Sequence, residues 1–158
     1  MSKKPLIIST DPGIDDVAAM TISFFADELD VKMIVPTWGN VSLEHTLQNT
    51  LDLENFLHTK VPVVKGANQP LVRPAISAAS VHGETGLAGF EFEKASDELL
   101  EPGLAATKMY EAIKNSPEKV TLLGVGPLTD FALLFKQYPD VVENIAEAFM
   151  EADPAHAD

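Results

Sequence analysis

Short apolar runs alternate along the chain with longer segments in which apolar residues recur every three or four positions. Each run is bounded by turn-forming residues, which is typical of strands buried in a sheet, and the segments between the runs have the periodicity of amphipathic helices. The pattern predicts strands at residues 6–9, 31–36, 61–64 and 120–125, and helices at residues 15–26, 43–58, 103–114 and 128–137.

Strands that alternate with helices indicate βαβ units, so we predict an α/β fold with an open, mostly parallel, Rossmann-like sheet and flanking helices. Residues 66–102 repeatedly contain Gly and Pro, which predicts functional loops. In sheets of this kind, ligands bind outside the carboxyl ends of the strands. The turns at Asp11, at Asn40 and at residues 124–129 each follow a predicted strand, so we expect them to share one crevice.

Composition narrows the choice of partners. A chain of 158 residues is most simply one domain, and its formal net charge of −13 argues against nucleic acid or an anionic membrane as a partner. The absence of cysteine excludes disulfides and thiolate metal sites. No apolar stretch is long enough for a membrane span or a signal peptide. We therefore expect a cytoplasmic enzyme that acts on a small molecule.

Three carboxylates follow the first predicted strand closely, at Asp11, Asp15 and Asp16. Such acids repel one another unless a cation lies between them, and ligand sets made only of oxygen favour Ca²⁺ or Mg²⁺, with Ca²⁺ the better match to several carboxylates. A metal ion could also activate a bound water as a nucleophile. A purely structural interpretation stays open, because Asp-Pro-Gly is a common turn and Asp-Asp a common helix start.

An acid after a buried strand is also found in phosphatases of the haloacid dehalogenase type. That chemistry needs a nucleophilic Asp at the strand end and a second acid two residues later. The corresponding positions here are Ser9 and Asp11, so one of the two acids is missing. The motif therefore disfavours a phosphatase.

The whole constellation resembles the inosine–uridine nucleoside hydrolase family. Its opening pattern, Asp-x-Asp-Pro-Gly-x-Asp-Asp, is matched at every position except the first. Five segments match in the same order: 9–16 (Ser-Thr-Asp-Pro-Gly-Ile-Asp-Asp), 38–42 (Trp-Gly-Asn-Val-Ser), 65–71 (Lys-Gly-Ala-Asn-Gln-Pro-Leu), 81–87 (Val-His-Gly-Glu-Thr-Gly-Leu) and 121–130 (Thr-Leu-Leu-Gly-Val-Gly-Pro-Leu-Thr-Asp). Five ordered motifs are far more specific than any one of them.

The resemblance implies a calcium centre and a catalytic acid. Asp11 and Asp16 would bind Ca²⁺ through their carboxylates, and Val125 would bind it through its main-chain carbonyl, which is compatible with an apolar side chain at that position. Asp11 would in addition take a proton from the metal-bound water. The resemblance therefore implies two roles for the Asp11 carboxylate, as a calcium ligand and as a proton acceptor.

The resemblance also implies a nucleoside pocket. Asp15 and Asn40 would hold ribose hydroxyls, and His82 would lie on the loop beside the nucleoside. A lone histidine in a Gly-rich loop is equally well interpreted as a solvated loop residue, so both interpretations of His82 stay open.

Several positions depart from the family pattern. Ser9 replaces the first Asp, which would weaken the support around the metal ligands. Asp130 replaces the more usual Asn at the start of a helix, where either residue can act as a cap. Family members are much longer, and a later segment supplies another calcium-binding Asp, a histidine and further ribose contacts. Residues 148–158 look like a junction between two separated segments, and Asp153 or Asp158 could replace the missing ligand only on grounds of charge.

We therefore interpret residues 1–158 as a single domain that lacks the family's C-terminal half. The expected function is Ca²⁺-dependent hydrolysis of the N-glycosidic bond of ribonucleosides to ribose and free base, in purine and pyrimidine salvage, with activity impaired by the missing half. The alternative is a non-catalytic remnant that binds calcium or a nucleoside. The family commonly forms dimers or tetramers, so a homo-oligomer is a further option, while the base preference is left undetermined.

Overall fold

The structure, a computed structural model, describes residues 2–76 and 79–151. The strands in these residues are β1 (Lys4–Thr10), β2 (Leu29–Pro36), β3 (Val63–Val64), β4 (Leu100–Glu101), β5 (Val120–Gly124) and β6 (Ile145–Met150). They form one sheet in the order β4-β3-β2-β1-β5-β6, and every neighbouring pair is parallel. The predicted open parallel sheet is therefore confirmed.

Five α-helices accompany this sheet within the described residues: α1 (Ile14–Phe25), α2 (Leu43–Leu57), α3 (Ala79–His82), α4 (Ala105–Asn115) and α5 (Thr129–Gln137). A 3₁₀ helix at Pro139–Asn144 leads into β6. None of these helices is long and apolar enough to cross a membrane.

The helices cover both faces of the sheet because parallel strands need crossover connections, which are right-handed. Adjacent residues of a strand point to opposite faces. On one face, Ile7 of β1 belongs to the same core cluster as Phe131 of α5. On the other, Ile34 of β2 packs with Met20 of α1 and Leu53 of α2. The centre of the sheet is thus held by apolar contacts on both sides.

The four predicted strands are present as β1, β2, β3 and β5, and the four predicted long helices as α1, α2, α4 and α5. Two strands were not predicted. β4 has only two residues, too few to show a periodic pattern. β6 lies at the edge of the sheet and is mostly exposed, with Glu147 in its middle, so its sequence contains no continuous apolar run.

The register of the central strands brings their carboxyl ends together. Thr10, the last residue of β1, pairs with Pro36, the last residue of β2, and Ser9 pairs with Gly124 at the end of β5. The main-chain N–H of Thr37 then donates to the carbonyl of Thr10 at 2.9 Å. The three loops that follow these strands therefore begin side by side, at the carboxyl ends of the central strands.

Candidate active site

Asp11 is the first residue after β1, and only 6% of its surface is exposed. Its position is fixed from the loop that follows β2. The main-chain N–H of Asn40 donates to Asp11 Oδ2 at 2.8 Å, and the Asn40 side-chain amide donates to the Asp11 carbonyl at 2.9 Å. This pair of hydrogen bonds shows that Asp11 and Asn40 lie side by side at the carboxyl ends of β1 and β2.

Asp16 lies in the first turn of α1 and is 7% exposed. The hydroxyl of Thr10 donates to its Oδ1 at 2.8 Å, and the main-chain N–H of Gly13 donates to its Oδ2 at 3.4 Å. The N-terminus of a helix also attracts negative charge. The short Asp-Pro-Gly turn therefore joins strand and helix so that Asp11 and Asp16 come together.

The electrostatics of this pair are unfavourable when both acids are ionised. Burial, together with repulsion from Asp16, raises the pKa of Asp11 to about 8. Burial also raises the pKa of Asp16, although the hydrogen bonds from Thr10 and Gly13 act in the opposite direction. None of the ion pairs found in the described part of the chain includes either acid. A cation bound between them would relieve both the burial cost and the repulsion.

Two glycines allow the neighbouring turns to approach the Asp11 carboxylate. A Cβ atom at Gly126 would lie 2.6 Å from Asp11 Oδ1, and a Cβ atom at Gly39 would collide with Asp11 Oδ2. Gly126 follows Val125, whose N–H donates to the Ser9 carbonyl at 3.0 Å and so continues the pairing of β5 with β1. The main chain around Val125 therefore borders Asp11, although its role as a ligand remains a prediction.

His82, the last residue of α3, lies beside the same crevice. A Cβ atom at Gly13 would be 2.9 Å from His82 Nδ1 and also 2.9 Å from the Asn40 side-chain nitrogen. The Nδ1 atom is buried and has no hydrogen-bond partner among residues 2–76 and 79–151. A distant loop thus brings an imidazole nitrogen next to the acidic turn, where it could contact a ligand.

Asn49 forms hydrogen bonds to the loop that contains His82, and it was not predicted as a site residue. From the buried side of α2, its side-chain nitrogen donates to the Thr85 carbonyl at 2.7 Å and to the Pro12 carbonyl at 3.3 Å. One asparagine therefore links the loop of His82 to the Asp-Pro-Gly turn. The only signal in the sequence was an amide on the apolar side of a predicted helix.

Asp15 is the third acid of the predicted cluster, and its environment differs from that of Asp11 and Asp16. Its side chain is exposed, whereas Asp16 is buried. Consecutive residues of a helix point about 100° apart, which is consistent with the exposure of Asp15 beside the buried Asp16. The described residues contain no group of three or more His, Cys, Asp or Glu side chains suited to a metal ion.

The donors available for a cation are therefore the Asp11 and Asp16 carboxylates together with main-chain oxygens. Oxygen donors of this kind match the preference of Ca²⁺. The two buried carboxylates lack a cationic partner in the part of the chain that the structure describes, so this donor set fits a calcium ion. Asp153 and Asp158, the suggested replacement ligands, lie outside the described residues.

Comparison with known proteins gives one consistent result. A family model described as inosine-uridine preferring nucleoside hydrolase matches residues 6–150. The non-specific ribonucleoside hydrolase RihC of Klebsiella pneumoniae subsp. pneumoniae is 46% identical over 142 residues, which are 89% of this chain and 46% of that protein. The chain thus spans about half the length of the curated relatives that it matches, and the matched part is their N-terminal half.

Solved structures agree. A purine-preferring ribonucleoside hydrolase from Gardnerella vaginalis superimposes with a TM-score of 0.85 at 25% identity, covering 92% of this chain and 47% of that one. A plant nucleoside hydrolase, the PpNRh1 enzyme, gives a TM-score of 0.82 at 29% identity, covering 93% and 47%. Sequence motifs, sheet and family match coincide, and the chain belongs to the inosine-uridine preferring nucleoside hydrolase family.

Proposed function

We propose that this chain carries the water-activating, calcium-binding part of a ribonucleoside hydrolase, which cleaves the N-glycosidic bond to give ribose and free base. The observation that carries the proposal is the geometry of Asp11 and Asp16. Both carboxylates are buried at the carboxyl ends of the central strands, and both are oriented by hydrogen bonds from neighbouring turns. The family match supplies the reaction class.

Asp11 is the proposed general base. One carboxylate oxygen accepts the Asn40 N–H, and the other faces the glycine turn after β5, so the carboxyl group cannot rotate freely. Asp11 and Asp16 would hold the calcium ion together with the main-chain carbonyl of Val125. When bound, calcium lowers the pKa of a coordinated water and offsets the negative charge of the two acids. Asp11 would then accept the proton of the attacking water.

The remaining polar groups of the crevice suit a ribose. Asp15 is exposed at the start of α1, and the Asn40 amide and His82 Nδ1 converge on the space beside Gly13. Glycoside hydrolysis passes through a transition state with positive charge on the sugar. The negative charge of Asp15 would stabilise this state, while Asn40 and His82 would orient the ribose hydroxyls.

The substrate class is a ribonucleoside. One relative is named a non-specific ribonucleoside hydrolase and another a purine-preferring one, so the family match alone does not select a base. We therefore propose ribose recognition by this chain without assigning it a preference for purine or pyrimidine.

A second candidate function is binding of calcium or nucleoside without turnover. It is favoured by β6, an edge strand on which Phe149 is 56% exposed. Apolar surface of this kind usually marks a place where further polypeptide packs.

The test is release of reducing sugar from inosine, uridine and p-nitrophenyl riboside, measured with calcium and again with EDTA. Calcium-dependent release supports the hydrolase. Calcium binding by calorimetry without sugar release, from protein shown to be folded by circular dichroism, selects the binding function. Folded protein that shows neither property would overturn both candidates.

A further inference from the structure

Thr129 and Asp130 begin helix α5, and neither contacts Asp11 through any hydrogen bond in the described residues. Nevertheless, both make long-range contacts to the loops that surround the crevice. The contacts of Thr129 are made to Trp38, and those of Asp130 are made to Ala67.

Trp38, the chain's single tryptophan, follows β2 and is 7% exposed. Its indole N–H donates to the Thr129 hydroxyl at 3.2 Å, across 91 residues of sequence. A buried indole N–H needs an acceptor, because leaving it unpaired costs the desolvation of the group. Thr129 is thus the residue that satisfies the ring in this orientation.

Asp130 is connected to Trp38 indirectly, through Ala67. Both of its carboxylate oxygens accept the Ala67 N–H, at 3.0 and 3.1 Å, and the carboxylate is 2% exposed. The Ala67 carbonyl in turn accepts the main-chain N–H of Trp38 at 2.9 Å. A Cβ atom at Gly66 would lie 2.6 Å from Asp130 Oδ2, so a side chain there would separate the two loops.

Both connections converge on Trp38, two residues before the Asn40 N–H that orients Asp11. We propose that Thr129 and Asp130 are positioning residues. Their contacts to Trp38 and Ala67 hold the Trp38–Asn40 turn in place and thereby set the direction of the Asp11 carboxylate. The consequence for catalysis rests on the proposed function, whereas the consequence for the turn itself does not. A catalytic group displaced by about 1 Å can lose about 10²-fold in rate, so small movements of this turn matter.

The main experiment compares Thr129→Val, which removes the acceptor and keeps the shape, with Thr129→Ser, which keeps a hydroxyl. Thr107→Val is the matched control, since Thr107 of α4 forms its hydrogen bond with the Tyr138 hydroxyl, at 3.0 Å, and not with Trp38. Three measurements are made: acrylamide quenching of Trp38 fluorescence, calcium affinity by calorimetry, and the kinetics of ribose release, which give kcat and KM.

We expect Thr129→Val to increase the quenching of Trp38, weaken calcium binding several-fold and lower kcat about 10-fold or more, with less effect on KM. Thr129→Ser should recover most of each loss, and Thr107→Val should leave all three measurements unchanged. Asp130→Asn keeps one oxygen to accept the Ala67 N–H, so it should resemble Thr129→Ser.

Wild-type quenching and calcium affinity in Thr129→Val would overturn the proposal, as would equal losses in Thr107→Val, which would indicate general destabilisation. If the wild-type chain neither binds calcium nor releases ribose, the proposed function fails but the quenching measurement still decides the role of Thr129. In that case the positioning role of Thr129 is supported only if quenching increases in Thr129→Val and returns to the wild-type value in Thr129→Ser.

Discussion

Asp11 and Asp16 form one region where this protein buries carboxylates, and Glu54 of α2 forms another. Asp11 and Asp16 lie at the carboxyl ends of the central strands, where two loops and a helix begin. Glu54 is 0% exposed and lies where α2 turns toward β3. Its Oε2 accepts the Val61 N–H at 3.0 Å, and its Oε1 has no hydrogen-bond partner in the described residues.

Burial raises the pKa in both regions, to about 8 for Asp11 and to about 7 for Glu54. The regions differ in what else acts on the acid. Asp11 is repelled by Asp16, whereas no neighbouring charge contributes to the shift of Glu54. A single buried acid can become neutral by binding one proton. Two adjacent acids are better neutralised by a divalent ion, which supports our proposal that the Asp11–Asp16 region binds a cation whereas Glu54 binds a proton.

Removing Asp11 should have the largest effect. Asp11→Ala eliminates the proposed base and a calcium ligand together, so we expect ribose release to fall by about 10³-fold or more and calcium binding to be lost. Steady-state kinetics and calorimetry measure the two losses. The matched control is Asp27→Asn, an exposed acid beyond α1, which should behave as wild type. Calcium binding that survived in Asp11→Ala would show that the ligand assignment is wrong.

Calcium should stabilise the fold through the first region alone. At a free concentration about 100 times Kd, a ligand that binds only the folded state adds about 2.7 kcal/mol to the free energy of unfolding. Differential scanning calorimetry with calcium and with EDTA should show this as a rise in Tm. Asp16→Asn should reduce the rise strongly, and Glu54→Gln should leave it intact. An equal calcium response in both variants would remove the distinction between the two regions.

The first region could be predicted largely from sequence because its parts are local. Asp11 directly follows β1, and Asn40 lies in the loop that follows β2, so parallel pairing of the two strands brings both residues to the same end of the sheet. The exposure of Asp15 was missed, although the angular spacing of a helix already separates it from Asp16.

The second region could not be predicted in this way. A glutamate within an amphipathic pattern is normally a surface residue, but Glu54 is buried, and the chain reverses after α2 so that the Val61 N–H donates to its carboxylate. The contact of Trp38 with Thr129 is similarly invisible, since it joins residues 91 positions apart. Long-range polar contacts depend on how helices, strands and loops pack against one another, and neither periodicity nor motif spacing predicts that packing.

Glu54 should make stability depend on pH. An unfolded glutamate ionises near its ordinary pKa of 4.5, whereas burial raises the folded value to about 7. Between these values the folded state binds more protons than the unfolded state, so the free energy of unfolding falls as the pH rises through this window. The loss is on the order of 2 kcal/mol.

Urea unfolding at pH 5 and pH 8, in EDTA, tests this dependence. Glu54→Gln stays neutral and should lose less stability over the window than the wild type does, while Glu28→Gln, an exposed control, should follow the wild type. Parallel curves for Glu54→Gln and the wild type would show that Glu54 ionises normally in the folded protein.

His82 should have the smallest effect, and that effect should fall on the substrate alone. Its Nδ1 lies beside Gly13 and the Asn40 amide, and among the described residues it has no hydrogen-bond partner. A ribose hydroxyl could occupy this position, and losing one hydrogen bond costs about 1 kcal/mol, so His82→Ala should raise KM several-fold. The rise of Tm with calcium should be unchanged, because no carboxylate is altered. His45→Ala, at an exposed position on α2, is the matched control. A reduced calcium response in His82→Ala would make His82 part of the proposed calcium site, whereas an unchanged KM would show that His82 does not contact the substrate.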